Sequence, residues 1–161
     1  MKMSMFKWLR RSRRALMLFE LLLAFFILGT LFSIGIPLYI NQLEKARVVK
    51  AITDIHVFQV SIFEYLMNQE TLPETLADIG RDKYLDPWGS PYQYLKIEGK
   101  PRKEVMKTWR KDRFMVPLNS DFDLYSMGKD RKSSPPLTAK QSRDDVVRAN
   151  NGSYLGLASK F

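Results

Sequence analysis

The stretch RRSRRALMLFELLLAFFILGTLFSIGIPLY, residues Arg10 to Tyr39, decides the fold. It joins a basic run to an apolar run, and no charged residue lies between Leu21 and Leu43. An α-helix needs about 20 apolar residues to cross a bilayer. A cleavable secretory signal has a shorter apolar core of about 7–15 residues that ends in a small-residue site, whereas IPLY stands at this place here. The sequence therefore predicts a retained membrane-spanning helix.

Basic residues crowd the N-terminal side of this helix. Of the 26 lysines and arginines, six lie within the first fifteen positions, where no acid occurs: Lys2, Lys7, Arg10, Arg11, Arg13 and Arg14. The positive-inside rule keeps such a segment in the cytoplasm and predicts export of everything after Tyr39. The net charge of +9 falls to +3 without these six residues. That argues against nucleic-acid binding, which needs basic residues clustered on the folded domain.

One carboxylate, Glu20, interrupts the apolar run near its start. Ionisable residues inside membrane segments are costly and usually have a partner. Arg13 and Arg14 lie on the cytoplasmic side, and no base follows within one helical turn. Two interpretations remain open from the residues alone. The carboxylate lies at headgroup level in an ordinary anchor, or it pairs with a group on another chain.

Beyond the membrane segment the pattern becomes that of an amphipathic helix. Apolar residues recur there in steps of three and four: Val48, Ile52, Ile55, Phe58, Ile62 and Leu66. The motif DPWG predicts a type I turn with Trp88 in the core, and strand patterns follow at residues 92–97 and 122–125. The predicted fold class is α+β, in which a long N-terminal α-helix, with a transmembrane half and an amphipathic half, packs on a small antiparallel β-sheet.

The residues for most catalytic sites are missing. The chain has one histidine, His56, and no cysteine, so a zinc site or a Cys/His nucleophile lacks its parts. We therefore expect no enzymatic activity. The basic stretch from Gly99 to Arg113 predicts a surface insertion, with a helical turn at residues 103–109. Binding of phosphate or acidic lipid beside Trp109 is the less favoured interpretation of that insertion.

A polar loop near the C-terminus has acids on both sides. Residues 133–142 are rich in serine and proline, Asp130 precedes them, and Asp144 and Asp145 follow. Calcium takes six to eight oxygen ligands from carboxylates and carbonyls. Three carboxylates around an irregular loop suit a calcium site, although they do not follow the EF-hand pattern. Ordinary solvated loop acids are the alternative.

The segment ALMLFELLLAFFILGTLFSIGIPLY resembles the start of a type IV prepilin or a type II secretion pseudopilin. The elements DPWG-PY and DLYS-G-D resemble the major, G-type class of pseudopilins. The resemblance implies a basic leader at residues 1–15, a membrane and filament-core helix at 16–43, and a periplasmic head at 44–161. It also implies that a prepilin peptidase cuts between Ala15 and Leu16 and methylates the new N-terminus. Ala15, Leu16 and Met17 stand where the family usually has Gly, Phe and Thr.

The same resemblance implies a partner for Glu20. In family filaments the corresponding glutamate meets the N-terminal amine of a neighbouring subunit, which exists only after cleavage. Pairing greatly lowers the cost of a carboxylate in an apolar helix bundle, so such a contact can fix the register between subunits. For the loop, the resemblance implies calcium bound by Asp130, Asp144, Asp145 and the backbone carbonyl of Met127.

The implied function is that of a structural subunit of a type II secretion pseudopilus. Such a protein sits in the bacterial inner membrane by a single pass, with its N-terminus cytoplasmic and its head periplasmic. Its implied partners are further copies of itself, minor pseudopilins, the prepilin peptidase and an inner-membrane assembly platform. The alternatives are a subunit of a type IV pilus or related filament, and a monomeric membrane-anchored binding domain.

Overall fold

The computed structural model describes the backbone of residues 3–161 and the side chains from Leu16 onward. The chain divides into two compact units, Met1–Glu44 and Lys45–Phe161. The predicted basic leader and the side chain of Ala15 at the predicted cut lie outside the described side chains.

The first unit consists of helix α1, which spans Met3–Gln69 and therefore continues into the second unit. Every residue from Leu16 to Leu43 is exposed. The described part of α1 contains an 18-residue window with a mean hydropathy of 2.4, enough by length and composition to cross a membrane. An apolar helix surface of this kind needs lipid or other protein around it. The predicted membrane-capable helix is confirmed.

The second unit begins with the amphipathic half of α1. Ala51, Ile55, Phe58 and Ile62 of this helix are buried in the main core, and Val48, Ile52 and Leu66 pack against that core. This stripe follows the predicted steps of three and four residues. The prediction that the second half of α1 packs on a head is therefore confirmed.

The head contains a four-stranded sheet in the order β1-β2-β3-β4. All three strand pairs are antiparallel. The strands are β1 (Gln93–Lys96), β2 (Phe122–Ser126), β3 (Val146–Ala149) and β4 (Tyr154–Leu157). A 3-10 turn at Leu76–Ile79 precedes β1, and a short helix α2 at Arg102–Val105 lies between β1 and β2. Three further 3-10 turns lie between or after the later strands: Lys140–Ser142, Asn150–Gly152 and Ala158–Lys160. This layout confirms the predicted α+β, pilin-like fold.

Both faces of the sheet are covered. On one face, Phe122, Leu124 and Val146 belong to the core that contains α1. On the other face, Val147 and Ala149 pack with Leu118 and Leu137, which come from the loops. Polar side chains in these strands are consequently buried whichever way they point, as Asp123 and Arg148 are.

The prediction that residues 99–113 form a solvated surface insertion is wrong for the middle of that segment. Trp109 is only 4% exposed and packs with Ile97 and Val105. The reason is the large apolar area of the indole, which is more stable against the sheet end than in water. The helical turn is also shorter than predicted, because α2 ends at Val105. A buried tryptophan cannot act as the platform for phosphate or lipid that the alternative interpretation required.

Candidate functional site

Glu20 is exposed on α1 in the middle of exposed apolar neighbours such as Phe19 and Leu21. Among the side chains described from Leu16 onward, no ion pair or hydrogen bond to Glu20 is present. The carboxylate is therefore available to a group outside this part of the chain. The predicted pairing with a neighbouring subunit remains a prediction.

A buried aspartate builds the predicted turn and joins it to the sheet. Asp86 Oδ1 accepts hydrogen bonds from the backbone N–H groups of Trp88 (3.0 Å) and Ser90 (2.8 Å). Asp86 Oδ2 accepts a third hydrogen bond, from the Ser126 hydroxyl at 2.5 Å. The Gly89 N–H donates to the Asp86 carbonyl at 2.9 Å, as the type I turn requires. Trp88 lies in the main core, so its predicted role is confirmed.

Two of the three predicted calcium aspartates meet. The loop after β2 turns at Gly128, where φ is +64° and a Cβ atom would lie 2.3 Å from the carbonyl oxygen of Asp144. Only glycine permits this approach. Beyond the turn, the Asp130 N–H donates to Asp144 Oδ2 at 2.9 Å. Asp130 Oδ1 accepts from the Lys132 N–H at 2.8 Å. The Asp144 carboxylate thus ties the end of the loop to its start, whereas the Asp130 carboxylate bonds only within its own turn.

The third aspartate, Asp145, has a different partner. Its Oδ2 atom accepts from Arg110 Nη2 at 2.6 Å and from the Ser133 hydroxyl at 2.6 Å. Arg110 also donates to the Ser133 hydroxyl and to the Ser134 carbonyl, and its guanidinium lies 4.3 Å from the centre of the Tyr125 ring. The basic insertion therefore supplies a buried charge that ties down the acidic loop.

Burial raises the pKa values of the two carboxyls beside Arg110, Asp145 and Asp123. Asp145 is fully buried, and desolvation raises its pKa to about 6 although Ser133 and Arg110 pull it down. Asp123 accepts from the Arg110 N–H (2.5 Å) and from Asn119 Nδ2 (2.8 Å). Desolvation likewise raises the pKa of Asp123 to about 6. Arg110 thus contacts Asp145 through its guanidinium and Asp123 through its backbone N–H.

The donor types suit calcium, but the carboxylates are not gathered in one place. Among the described side chains, no group of three or more acidic, histidine or cysteine residues is arranged to hold a metal ion. Asp145 Oδ1, however, is buried without a hydrogen-bond partner, and a cation would satisfy such an atom. Asp130 and Asp144 offer two further carboxylates. The calcium set, including the Met127 carbonyl, remains a prediction.

Sequence reasoning missed Arg110, Asp123 and Arg148. Arg148 is 1% exposed and forms two hydrogen bonds to Asp121, at 2.8 and 2.6 Å. It also reaches Gln59 of α1 at 3.0 Å. The available signal was a charged residue between apolar residues in the strand segments FDLYS and VVRA. Such a residue must have a buried partner once both faces of the sheet are covered.

The sequence is similar to proteins named type II secretion system core protein G. The protein from Pseudomonas aeruginosa is 26% identical over 144 residues, which cover 76% of this chain and 88% of the relative. The Dickeya chrysanthemi protein is 27% identical over 108 residues, covering 54% of this chain and 71% of the relative. The Aeromonas hydrophila protein is 31% identical over 107 residues, covering 53% and 75%. No family model matches the sequence, and no solved structure matches it.

Proposed function

This chain belongs to the family of the type II secretion system core protein G, and from that membership we propose that it polymerises into a periplasmic pseudopilus that drives protein export across the outer membrane. Membership also confirms the prediction that the chain is a pseudopilin and not an enzyme. The observation that best supports polymerisation is the exposed apolar surface of α1 from Leu16 to Leu43. In the membrane lipid covers this surface, and in a filament other copies of α1 replace the lipid.

The topology follows from the charges beside this helix. The basic residues before Leu16 stay in the cytoplasm, and the head is periplasmic. Partners of this subunit are further copies, minor pseudopilins, the prepilin peptidase and an inner-membrane assembly platform. In the head, Asp130, Asp144, Asp145 and the Met127 carbonyl would hold calcium. The ion would add positive charge to a loop that has little apolar surface to bury.

Processing is expected between Ala15 and Leu16. The basic run directly precedes the apolar helix, and this cut makes Glu20 the fifth residue of the mature chain. The N-terminal peptide of protein purified from cells with an active prepilin peptidase should therefore begin at Leu16 with one added methyl group. Intact-mass and N-terminal mass spectrometry measure this. A chain that still begins at Met1 in those cells would contradict the proposed processing.

The test of the proposed function is Glu20→Ala. The variant should insert in the membrane and be cleaved normally, since the apolar run is lengthened and the cut is unchanged. It should fail to assemble, because the charge that pairs with the neighbour's amine is gone. An interaction of about 1.4 kcal/mol corresponds to a factor of ten, and pairing of a carboxylate in an apolar bundle is worth more. We therefore expect secretion to fall by about tenfold or more.

The control is Glu64→Ala, which removes an exposed glutamate from the amphipathic half of the same helix. It should leave secretion and chemical cross-linking of filaments near the wild-type level. Secreted protein in the medium and cross-linked ladders in membranes are the two measurements. Wild-type secretion and ladders from Glu20→Ala would rule out the register contact. Absence of ladders in the wild type would favour the monomeric anchored domain.

A further inference from the structure

The tip of the insertion carries the most exposed large apolar side chain of the head. Phe114 is 94% exposed, and the three residues before it are Lys111, Asp112 and Arg113, with a net charge of +1. We call residues 111–114 the insertion tip. In the part of the chain whose side chains are described, neither Lys111 nor Arg113 forms an ion pair.

The insertion tip stands on an ordered base. The Leu118 N–H donates to the Arg110 carbonyl at 2.8 Å, and the Asp112 N–H donates to the Met115 carbonyl at 2.9 Å. These two hydrogen bonds join the chain before the tip to the chain after it. Lys111 is bonded through its N–H (3.0 Å) and carbonyl (2.9 Å) to the backbone of residues 135–137. A tip held in this way exposes Phe114 in one arrangement. Binding a partner therefore requires little further loss of conformational entropy in the tip.

A complementary groove lies elsewhere on the head. It is an open cavity of about 210 Å³ between the end of α1 and the end of β1, with Leu66, Glu70, Leu72 and Glu98 in its lining. We call it the acidic groove. No residue lines both this groove and the cavity beside Phe114.

The charges of the acidic groove are not balanced within the head. Lys96, which also lines the groove, donates to Glu74 at 2.8 Å, and Lys100 pairs with the same glutamate at 3.0 Å. Both lysines are thus engaged by Glu74. Glu70 and Glu98 form no ion pair with any side chain from Leu16 onward. The groove therefore offers two unpaired carboxylates around an apolar floor.

We propose that the insertion tip of one copy docks in the acidic groove of the next copy of this chain. Phe114 fills the space above Leu66 and Leu72, while Lys111 and Arg113 meet Glu70 and Glu98. The tip and the groove are different surfaces of the same head, so the contact is heterologous and repeats along a filament instead of closing as a dimer. This inference rests on the proposed function, because packing of α1 supplies the high local concentration that a small contact needs.

Two observations favour a second copy over another partner: the charges of the two surfaces are complementary, and each copy carries both surfaces. The tip carries two basic side chains against one acidic one, the groove lining carries two acidic side chains against Lys96, and every copy has both surfaces. Buried aromatic and arginine side chains are the residue types that dominate binding energy at interfaces. A contact of one phenylalanine and two ion pairs would be weak between free chains. It becomes effective when α1 already holds the copies together.

Cysteine cross-linking tests this proposal, since the natural chain has no cysteine. Full-length Val116→Cys and full-length Thr71→Cys, with different tags, are produced together in secreting cells and treated with a short bis-maleimide. Val116 lies two residues from Phe114, and Thr71 lines the groove. We expect a cross-linked product with both tags. Val116→Cys paired with Lys140→Cys, an exposed site outside the groove, is the control and should give at least about fivefold less product, in line with a lost hot spot.

Charge exchange provides the second measurement. Arg113→Glu or Glu98→Lys alone should lower the yield of the Val116–Thr71 product by about tenfold, and the two changes on opposite copies should restore it. A misfolded head would not be restored in this way. If the single changes leave the yield unchanged, the docking contact is wrong.

A parallel cross-link separates this inference from the proposed function. Ser33→Cys on two differently tagged copies reports packing of α1. A Ser33 product without a Val116–Thr71 product overturns the docking contact and leaves polymerisation standing. Absence of both products overturns both.

Discussion

Replacing Arg110 with methionine should destabilise the head by about 3–5 kcal/mol, the usual cost of breaking a buried ion pair from one side. The Arg110 side chain is 2% exposed. Its loss leaves Asp145 buried with no cation, while the Ser134 carbonyl keeps only its hydrogen bond from the Ser142 hydroxyl. Methionine keeps most of the side-chain volume, so the effect reports the charge and not a cavity.

The measurement is thermal unfolding of the full chain in detergent, followed through near-ultraviolet circular dichroism. Trp88 and Trp109 both report on the head, whereas the far-ultraviolet signal is dominated by α1. A loss of this size should lower the Tm by about 10 °C or more. Arg113→Met in the exposed part of the same insertion is the matched control and should change stability by less than about 0.5 kcal/mol.

A double substitution separates lost charge compensation from lost packing. In Arg110→Met combined with Asp145→Asn, the uncompensated charge at position 145 is gone and the backbone N–H that bonds Asp123 is kept, so about half of the lost stability should return. If Arg110→Met melts like the wild type, the buried pair contributes nothing to the head. If the double variant is as unstable as the single one, the guanidinium acts through its contacts with Ser133, Ser134 and Tyr125 instead.

The loss of stability caused by Arg110→Met should depend on pH, and the pKa of Asp145 gives the direction of that dependence. Burial raises the pKa of Asp145 from 3.8 to about 6, so the folded head binds a proton more tightly than the unfolded chain does. The stability that this protonation contributes is fully present below about pH 4 and is lost as the pH rises through about 6. Without Arg110, the ionised form of Asp145 loses the nearby positive charge that offsets its burial, so it is less stable than in the wild type. The gap between Arg110→Met and the wild type should therefore be smaller at pH 5 than at pH 7.5.

The sequence predicts those parts of the molecule that depend on local pattern. The spacing of apolar residues between Val48 and Leu66 defines one face of a helix, independently of what that face packs against. The DPWG motif forms a turn because its own Asp86 accepts the hydrogen bonds of that turn. Arg110 could not be recognised in this way, because its partner Asp145 lies 35 residues further along the chain. In sequence it is one basic residue among several in a polar stretch.

Asp145 shows what a closer physical argument could have found. Asp144 lies in the turn that ends the loop, whereas Asp145 directly precedes β3. Spacing alone placed both carboxylates beside Asp130, but only Asp144 is bonded to that residue. Because both faces of the sheet are covered, the residue that leads directly into β3 is expected to be buried. A buried base is the partner that such a carboxylate requires.

Calcium should raise the Tm of the full chain in detergent, and a chelator should lower it. The loop of residues 133–142 is held by polar contacts more than by apolar burial, so a cation bound by Asp130, Asp144, Asp145 and the Met127 carbonyl would stabilise it. A ligand that binds only the folded state at a hundredfold excess over its Kd adds about 2.7 kcal/mol. Heads of this size have about 5–15 kcal/mol in total. Magnesium should restore the Tm poorly, because it demands octahedral geometry and loses water reluctantly.

Asp130→Ala decides between calcium binding and simple loop tethering. The Asp130 N–H that meets Asp144 belongs to the backbone, so alanine keeps that hydrogen bond and removes the predicted ligand. The calcium response should vanish in this variant and persist in Asp82→Ala, which removes an exposed aspartate outside the loop. If calcium and chelator leave the Tm of the wild type and of Asp130→Ala each unchanged, Asp144 closes the loop without an ion, and Arg110 is the cation that the described side chains place at Asp145.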